Sequence, residues 1–332
     1  MLFCVRKSRL DPDFGIFNKN LQNNAGQTLA LFSVLWYNDG IKNIKDLYIM
    51  KKIINQTYDY ERALYASDGV ECENCTFAGP ADGESAFKES KNLVVRKCNF
   101  ELRYPFWHDD HAEISDSVFT STCRAPFWYS HDITLRGCSM ESVKAFRECE
   151  DVVLEDCNIT SSEFGWRCRN VRMHGGSLTS EYFMFGTDGI CMDGVHFGGK
   201  YSFQYVKNVE IRNCVLDTKD AFWHAENVTV YDSVVKGEYL GWYSKNLRLV
   251  RCEISGTQPL CYAENLVLED CTMDGCDLSF EYASVHADVR GEIMSVKNPA
   301  SGSITADRIG EIILDEYRRE TECTITERSK QA

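Results

Sequence analysis

Residues 132–159 read DITLRGCSMESVKAFRECEDVVLEDCNI, and their first nine residues return after nineteen as DVVLEDCNI. The pattern recurs as NVEIRNCVL from Asn208, NVTVYDSVV from Asn227, NLRLVRCEI from Asn246 and NLVLEDCTM from Asn265. Its mark falls on Cys138, Cys157, Gly176, Val195, Cys214, Ser233, Cys252 and Cys271, seven steps of 19 residues each. Self-similarity at a fixed period marks stacked supersecondary units, each of which buries its apolar face only against its neighbours.

The columns around that mark define the units. Five positions before it stand Ile133, Val152, Val171, Ile190, Val209, Val228, Leu247 and Leu266, three before it Leu135 through Leu268, and two after it Met140 through Met273. Alternation at period two makes these runs strands with their apolar sides inward. Six before the mark, Asp132, Asp151, Asn170, Gly189, Asn208, Asn227, Asn246 and Asn265 form a turn column. Asn, Asp and Gly tolerate the left-handed backbone of a sharp corner, and stacked amides can bond to one another. Short strands with Asn-rich corners make this an all-β chain, a parallel β-helix with about 19 residues per coil. A leucine-rich repeat shares the period but would need a helical half-repeat and an LxxLxL pattern, and neither is present.

Upstream the steps loosen: Cys75 to Cys98 is 23 residues, with the insertion GPADGESAFKESKN, and Ser117 to Cys138 is 21. Residues 1–49 lie outside the pattern and carry a net charge of +2, against −16 for the rest. They read as a weakly ordered extension or an overlong start, residues 50–317 as the β-helix domain, and 318–332 as a polar tail that frays. The run Thr28 to Trp36 is too short to span a bilayer, where about 20 residues are needed, and it lacks the flanks of a secretory signal. The net charge of −14 without a basic cluster argues against nucleic acid as a partner.

The sixteen cysteines occupy repeat positions interchangeable with Ser, Gly and Val, as small buried apolar residues would. They read as reduced thiols of a cytoplasmic protein. Cys72 and Cys75 stand alone without a second pair at zinc spacing, so no metal and no cofactor is expected.

The second half of each coil holds five residues such as YPFWH (104–108), DAFWH (220–224) or YLGWY (239–243). One alternation collects five of the six tryptophans, with Arg147 and Gln204 as misfits, and the other collects Tyr104, Phe106 and His108 or Asp220, Phe222 and His224. Because unpaired charges are rarely buried, the second set is expected outward and the tryptophans inward. The outward face then presents Tyr104, His108, Tyr129, Tyr182, Tyr201, Tyr205, Tyr239, Tyr243 and Tyr262. Rings flanked by hydrogen-bonding groups on a long sheet suit a sugar chain, so a carbohydrate or other small ligand is the expected partner. Tyrosine ladders also stabilise sheets with no ligand, and Lys144 beside Glu163, like Glu148 beside Arg167, reads equally as an ordinary ion pair between coils.

The segments GPADGESAFKES, LRYPFWHDD, KYSFQYVKN, DTKDAFWHAENVTV and GTQPLCY resemble a bacterial family with a pectin-lyase-like fold, domain of unknown function 3737. The resemblance covers about residues 50–320 and implies a right-handed, single-stranded β-helix. That family is similar in fold to polysaccharide lyases and polygalacturonases, but no activity comes with it. Of the polygalacturonase segments NTD, DD, GHG and RIK, only Asp109-Asp110 has a counterpart, followed by His111 and no GHG. Fold analogy is weak support for chemistry.

Two functions compete. A carbohydrate-active enzyme would draw its acids and bases from Lys144, Glu148, Glu163, Arg167, Asp220 and His224. His224 is the foremost proton carrier among them, because an imidazole titrates near neutrality. No two carboxyls fall in register at the about 5 to 9.5 Å that glycoside hydrolysis requires, and a lyase's demands are met without being diagnostic. The alternative is a non-catalytic glycan-binding or scaffold module, for which the tyrosine ladder suffices.

Overall fold

The computed structural model describes residues 50–80, 83–319 and 322–328. The segment 1–49, read above as an extension, lies outside them. The chain winds into a right-handed parallel β-helix of about 14 turns with about 19 residues per turn, and no helix occurs among the described residues. In the first ladder strands such as His131–Arg136, Glu150–Glu155 and Arg169–His174 pair in parallel, with Ile133, Val152 and Val171 in one register column. In the second, Ser139–Ser142, Asn158–Ser161 and Ser177–Ser180 align Met140 with Ile159 and Leu178. All three apolar columns read from the sequence are buried, with Ile133, Leu135, Met192, Leu216, Val230 and Met273 each 0% exposed.

The corners follow from the turn column. Asp132, Asp151, Asn170, Asn208 and Asn246 have φ between 54° and 56°, in the left-handed region. Their side chains bond up the helix: Asn246 Nδ2 donates to Asn227 Oδ1 at 2.9 Å, and Asn265 Nδ2 to Asn246 Oδ1 at 3.2 Å. A second left-handed column stands directly before the mark, at Gly137, Asp156, Asn213 and Asp232. Outside the first ladder runs a column the sequence reading did not single out. Asp68, Lys91, Asp110, His131, Glu150, Arg169, Asp188, Lys207, Glu226, Lys245 and Glu264 alternate in charge from coil to coil in paired register. Ion pairs close along it, at 3.1 Å for Lys91 with Asp68, 2.6 Å for Arg169 with Glu150 and 3.1 Å for Lys207 with Glu226. Each exposed pair contributes little, but a register slip by one coil would set like charges against each other.

Thirteen of the described cysteines are buried free thiols. Burial pushes the Cys98 thiol up to about 12 and the Cys214 thiol up to about 11, so almost none is thiolate at neutral pH. Cys138, Cys157, Cys214, Cys252 and Cys271 are shut into the core away from solvent and are expected to resist thiol reagents until the protein unfolds. Peptide mapping after timed alkylation checks this, and rapid native labelling of the buried five would refute it.

Three expectations need correcting. Part of the segment read as a fraying tail, Glu322–Glu327, is a strand that pairs in parallel with Ser301–Ile313, setting Ile304 beside Ile325. The polar tail reading fails there because alternate residues still pack on the core, with Cys323 and Ile325 half-buried against it. Gly176 is not a size-neutral member of the Cys column: its φ is +78°, and a Cβ there would stand 2.2 Å from the Cys157 carbonyl oxygen. The third correction concerns the five-residue stretch and leads to the site.

Candidate functional site

The stretch after the second ladder is not a flat strand. Its first and fifth residues are left-handed, as at Tyr104 and His108 (both φ 55°) or Lys144 (59°) and Glu148 (52°). From Gly165 onward the third is left-handed too, at Gly165, Met184, Phe203, Phe222, Gly241 and Leu260, while the first residues Glu163 and Tyr182 are not. A backbone that turns at alternate residues breaks the period-two rule, so the second and third side chains point inward and the fourth and fifth outward. Phe106, Phe127, Phe146, Met184, Phe203, Phe222 and Leu260, expected on the solvent face, are all buried at 0–2% exposure. They form a core stack in which Phe127 lies 5.1 Å from Phe106 and 4.7 Å from Phe146.

The tryptophans expected inside are half-exposed instead. Each indole N–H donates to the backbone carbonyl of the first residue of the next stretch, Trp107 to Ala125 at 2.7 Å, Trp128 to Lys144 at 2.8 Å, Trp223 to Tyr239 at 2.6 Å and Trp242 to Gln258 at 2.8 Å. This explains both misfits. Gln204 supplies the same donor through its amide, reaching Asp220 O at 3.1 Å. Arg147 sits with its guanidinium 4.6 Å from the Trp128 ring and 5.0 Å from the Trp166 ring, and pairs with Glu163 at 2.7 Å. The column carries a half-wet N–H donor at every coil from Trp107 to Trp242 except at Phe185, and ends at the buried Cys261.

The fifth position carries the exposed rings. Tyr205, His224, Tyr243 and Tyr262 stack at 4.9, 5.0 and 4.7 Å with planes within 14° of parallel. Tyr282, one coil beyond the range considered from sequence, continues the row at 5.6 Å. There the row ends: Tyr282 Oη donates to Tyr317 O at 2.8 Å, and Arg319 lies 4.6 Å over the ring. A shorter pair, His108 on Tyr129 at 5.1 Å, occupies the earlier coils, and Tyr182 stacks on Tyr201 at 5.1 Å in the first-position column. Tyr104 and Tyr239 pack instead on Trp107 and Trp242, at 4.4 and 5.4 Å. Because the rings of the row cover one another's faces, what solvent meets is ring edges, hydroxyls and imidazole nitrogens. A sugar cannot lie flat on these rings; it can hydrogen-bond to their polar edges.

The acid and base candidates separate into groups. Glu163 is held by Arg147 and, at 3.8 Å, by Lys144, while Glu148 faces Arg167 at 3.9 Å. Asp220, expected beside His224 on the outer face, is only 7% exposed. Burial pushes its carboxyl above the ordinary range, Glu238 adds to this and Lys219 opposes it. His224 stays outside in the ring row, so the two do not share a surface. The Asp109-Asp110 pair is likewise divided: Asp109 is 2% exposed and Asp110 is exposed. Among the described residues no three His, Cys, Asp or Glu side chains lie together as a metal site needs, and no helix is long and apolar enough to cross a membrane.

Parallel ladders stacked with about 19 residues per coil make the molecule a parallel β-helix. It belongs to the family described as protein of unknown function (DUF3737), which matches residues 51–326. Similar solved structures include the catalytic domain of a GH87 alpha-1,3-glucanase, with 10% identity over 84% of this chain and 64% of that one and a TM-score of 0.32. The Azotobacter vinelandii mannuronan C-5 epimerase AlgE4 A-module shares 10% identity over 83% and 91% at a TM-score of 0.26. The periplasmic alginate epimerase AlgG shares 10% over 79% and 78% at 0.20. The chain spans 64% of the length of the glucanase domain. No curated protein matches the sequence.

Proposed function

We propose that this β-helix is a non-catalytic glycan-binding module whose ligand runs along the helix axis over the ring row from Tyr205 to Tyr282. The observation that carries the reading is the row itself: polar ring edges repeated once per coil, with 4.7–5.6 Å between successive rings. A polymer of hydroxyl-bearing units can meet such a row with the same hydrogen bond at successive coils. The catalytic alternative is less favoured, since Glu163 is already held by two cations and Asp220 is buried. A cytoplasmic location, suggested by the free thiols, belongs to the same reading.

The test is a screen of the protein against oligosaccharides, scored for both binding and product release, followed by His224→Ala and Tyr205→Ala. Both variants are expected to fold and to weaken binding by about 1–3 kcal/mol, the range for losing a central contact residue. Product release would establish an enzyme instead. Unchanged affinity in both folded variants would move the site to the Lys144, Glu148, Glu163 and Arg167 cluster.

A further inference from the structure

Each coil closes through a buried corner column that includes Ser90, Asp109, Ser130, Cys149, Cys168 and Thr187. Side chains in this column do two jobs. They accept a backbone N–H from the coil before, as Ser90 Oγ does from Ser67 N at 2.9 Å, Ser130 Oγ from Asp109 N at 3.2 Å and Thr187 Oγ1 from Cys168 N at 3.1 Å. They also donate to a carbonyl of the coil before, as Ser90 Oγ does to Leu64 O at 3.2 Å, Ser130 Oγ to Phe106 O at 2.9 Å and Cys149 Sγ to Phe127 O at 3.3 Å. Asp109 does the first job, with Oδ1 accepting from Ser90 N at 2.9 Å. Its Oδ2 is buried without a partner. A carboxylate has no proton for the second job, whereas a carboxylic acid has one.

We propose that Asp109 stands in the native coil as a neutral carboxylic acid, and that its ionisation is an alkaline release that loosens the coils on either side of it. The surroundings agree. Burial pushes the carboxyl up to about 9, outweighing the hydrogen bond from Ser90 N that favours the charged form, and the charge of Glu89 adds to the shift. The coil before presents Ser90 and Glu89. The coil after presents Ser130 and His131, whose imidazole is turned to Asp110 at 2.9 Å and Asp151 at 3.1 Å. In its own coil the flanking His108 and Asp110 are exposed.

The sign follows from linkage. An unfolded aspartate releases its proton near pH 4, while the native one keeps it to about 9, so between these values the folded state binds more protons. The stabilisation is complete in acid and is lost as pH rises, the opening constant growing by up to about tenfold per pH unit until the native carboxyl ionises. In a solenoid, where each coil contacts only its neighbours, this loss stays local.

The experiment follows amide exchange in the full chain between pH 6 and 9, corrected for intrinsic rates. It compares strands Lys91–Arg96 and Asp110–Ser115 with the distant strand Glu226–Tyr231. Opening of the two near strands is expected to rise with pH in the wild type and to stay flat in Asp109→Asn and Asp109→Ser, with the distant strand alike in all three. The infrared carbonyl band of a protonated carboxyl should be present at pH 7, fade near pH 9 and be missing from Asp109→Asn, with Asp220→Asn as the reference for the other raised aspartate. Equal pH profiles in wild type and variants would overturn the proposal. So would a wild type with no protonated carboxyl band at pH 7, a result that stands even if the variants fail to fold.

Discussion

Phe127→Ala is expected to lower stability by about 3–5 kcal/mol, the cost of emptying a packed aromatic site. The ring is 0% exposed and sits between Phe106 and Phe146, so truncation removes two stacks and leaves a void that the rigid ladders cannot close. The next residue gives the contrast. Trp128→Phe keeps a ring between Trp107, 5.0 Å away, and Arg147, and loses only the N–H donation to Lys144 O. That should cost about 1 kcal/mol, the usual net value of one hydrogen bond. Denaturant unfolding of both variants measures the difference. If the tryptophan change proved the costlier, the inward and outward sides would be those of a flat strand after all.

That reversal shows where sequence reading stops. The 19-residue period and three apolar columns were legible because Ile, Val, Leu and Met fall where an extended backbone puts them, and the corner column because Asn and Asp are the residues that tolerate φ > 0. In the five-residue stretch many of the left-handed residues, such as Tyr104, Lys144, Glu148 and Arg167, are types with no preference for that region. Local propensity gives no sign of the turn there; the backbone bonds to neighbouring coils hold it, as when His108 N donates to Trp128 O at 3.0 Å. Charge misled in the same way at Asp220, where the expectation that a carboxylate seeks solvent failed because the group is buried with its carboxyl shifted toward the neutral form.

Of the candidate site, adjacency was legible and orientation was not. One step of the period places Tyr205 and Tyr243 on either side of His224, and Lys144 beside Glu163, as the contacts bear out. Whether stacked rings offer faces or edges depends on χ angles that the packing of neighbouring coils sets, and no periodicity carries that. The alternating-charge column was present in the sequence seven positions before the mark, yet within a single coil each member looks like any solvated residue. It becomes visible only when eleven coils are read as one vertical line.

Gly176→Ala is expected to cost about 3 kcal/mol, more than the substitution of a flexible-loop glycine, because two penalties add. The first is conformational, since φ of +78° is unfavourable for any residue with a Cβ. The second is steric: the new Cβ would stand 2.2 Å from Cys157 O and 2.7 Å from Cys157 N. That backbone cannot yield, because Ser177 N donates to Cys157 O at 3.0 Å and Asn158 N to Cys138 O at 2.9 Å in the ladder that joins three coils. Gly275 separates the two penalties, having a φ of +70° but nothing within 4 Å of a built Cβ. Gly275→Ala should therefore cost only about 1 kcal/mol, the conformational part. At about 2–4 °C per kcal/mol for a domain of this order of size, the two variants should differ by several degrees in Tm. Equal losses would mean that the mark position accepts Cys, Ser, Val or Gly by size alone, and that the coil at Gly176 relaxes without breaking its neighbours' hydrogen bonds.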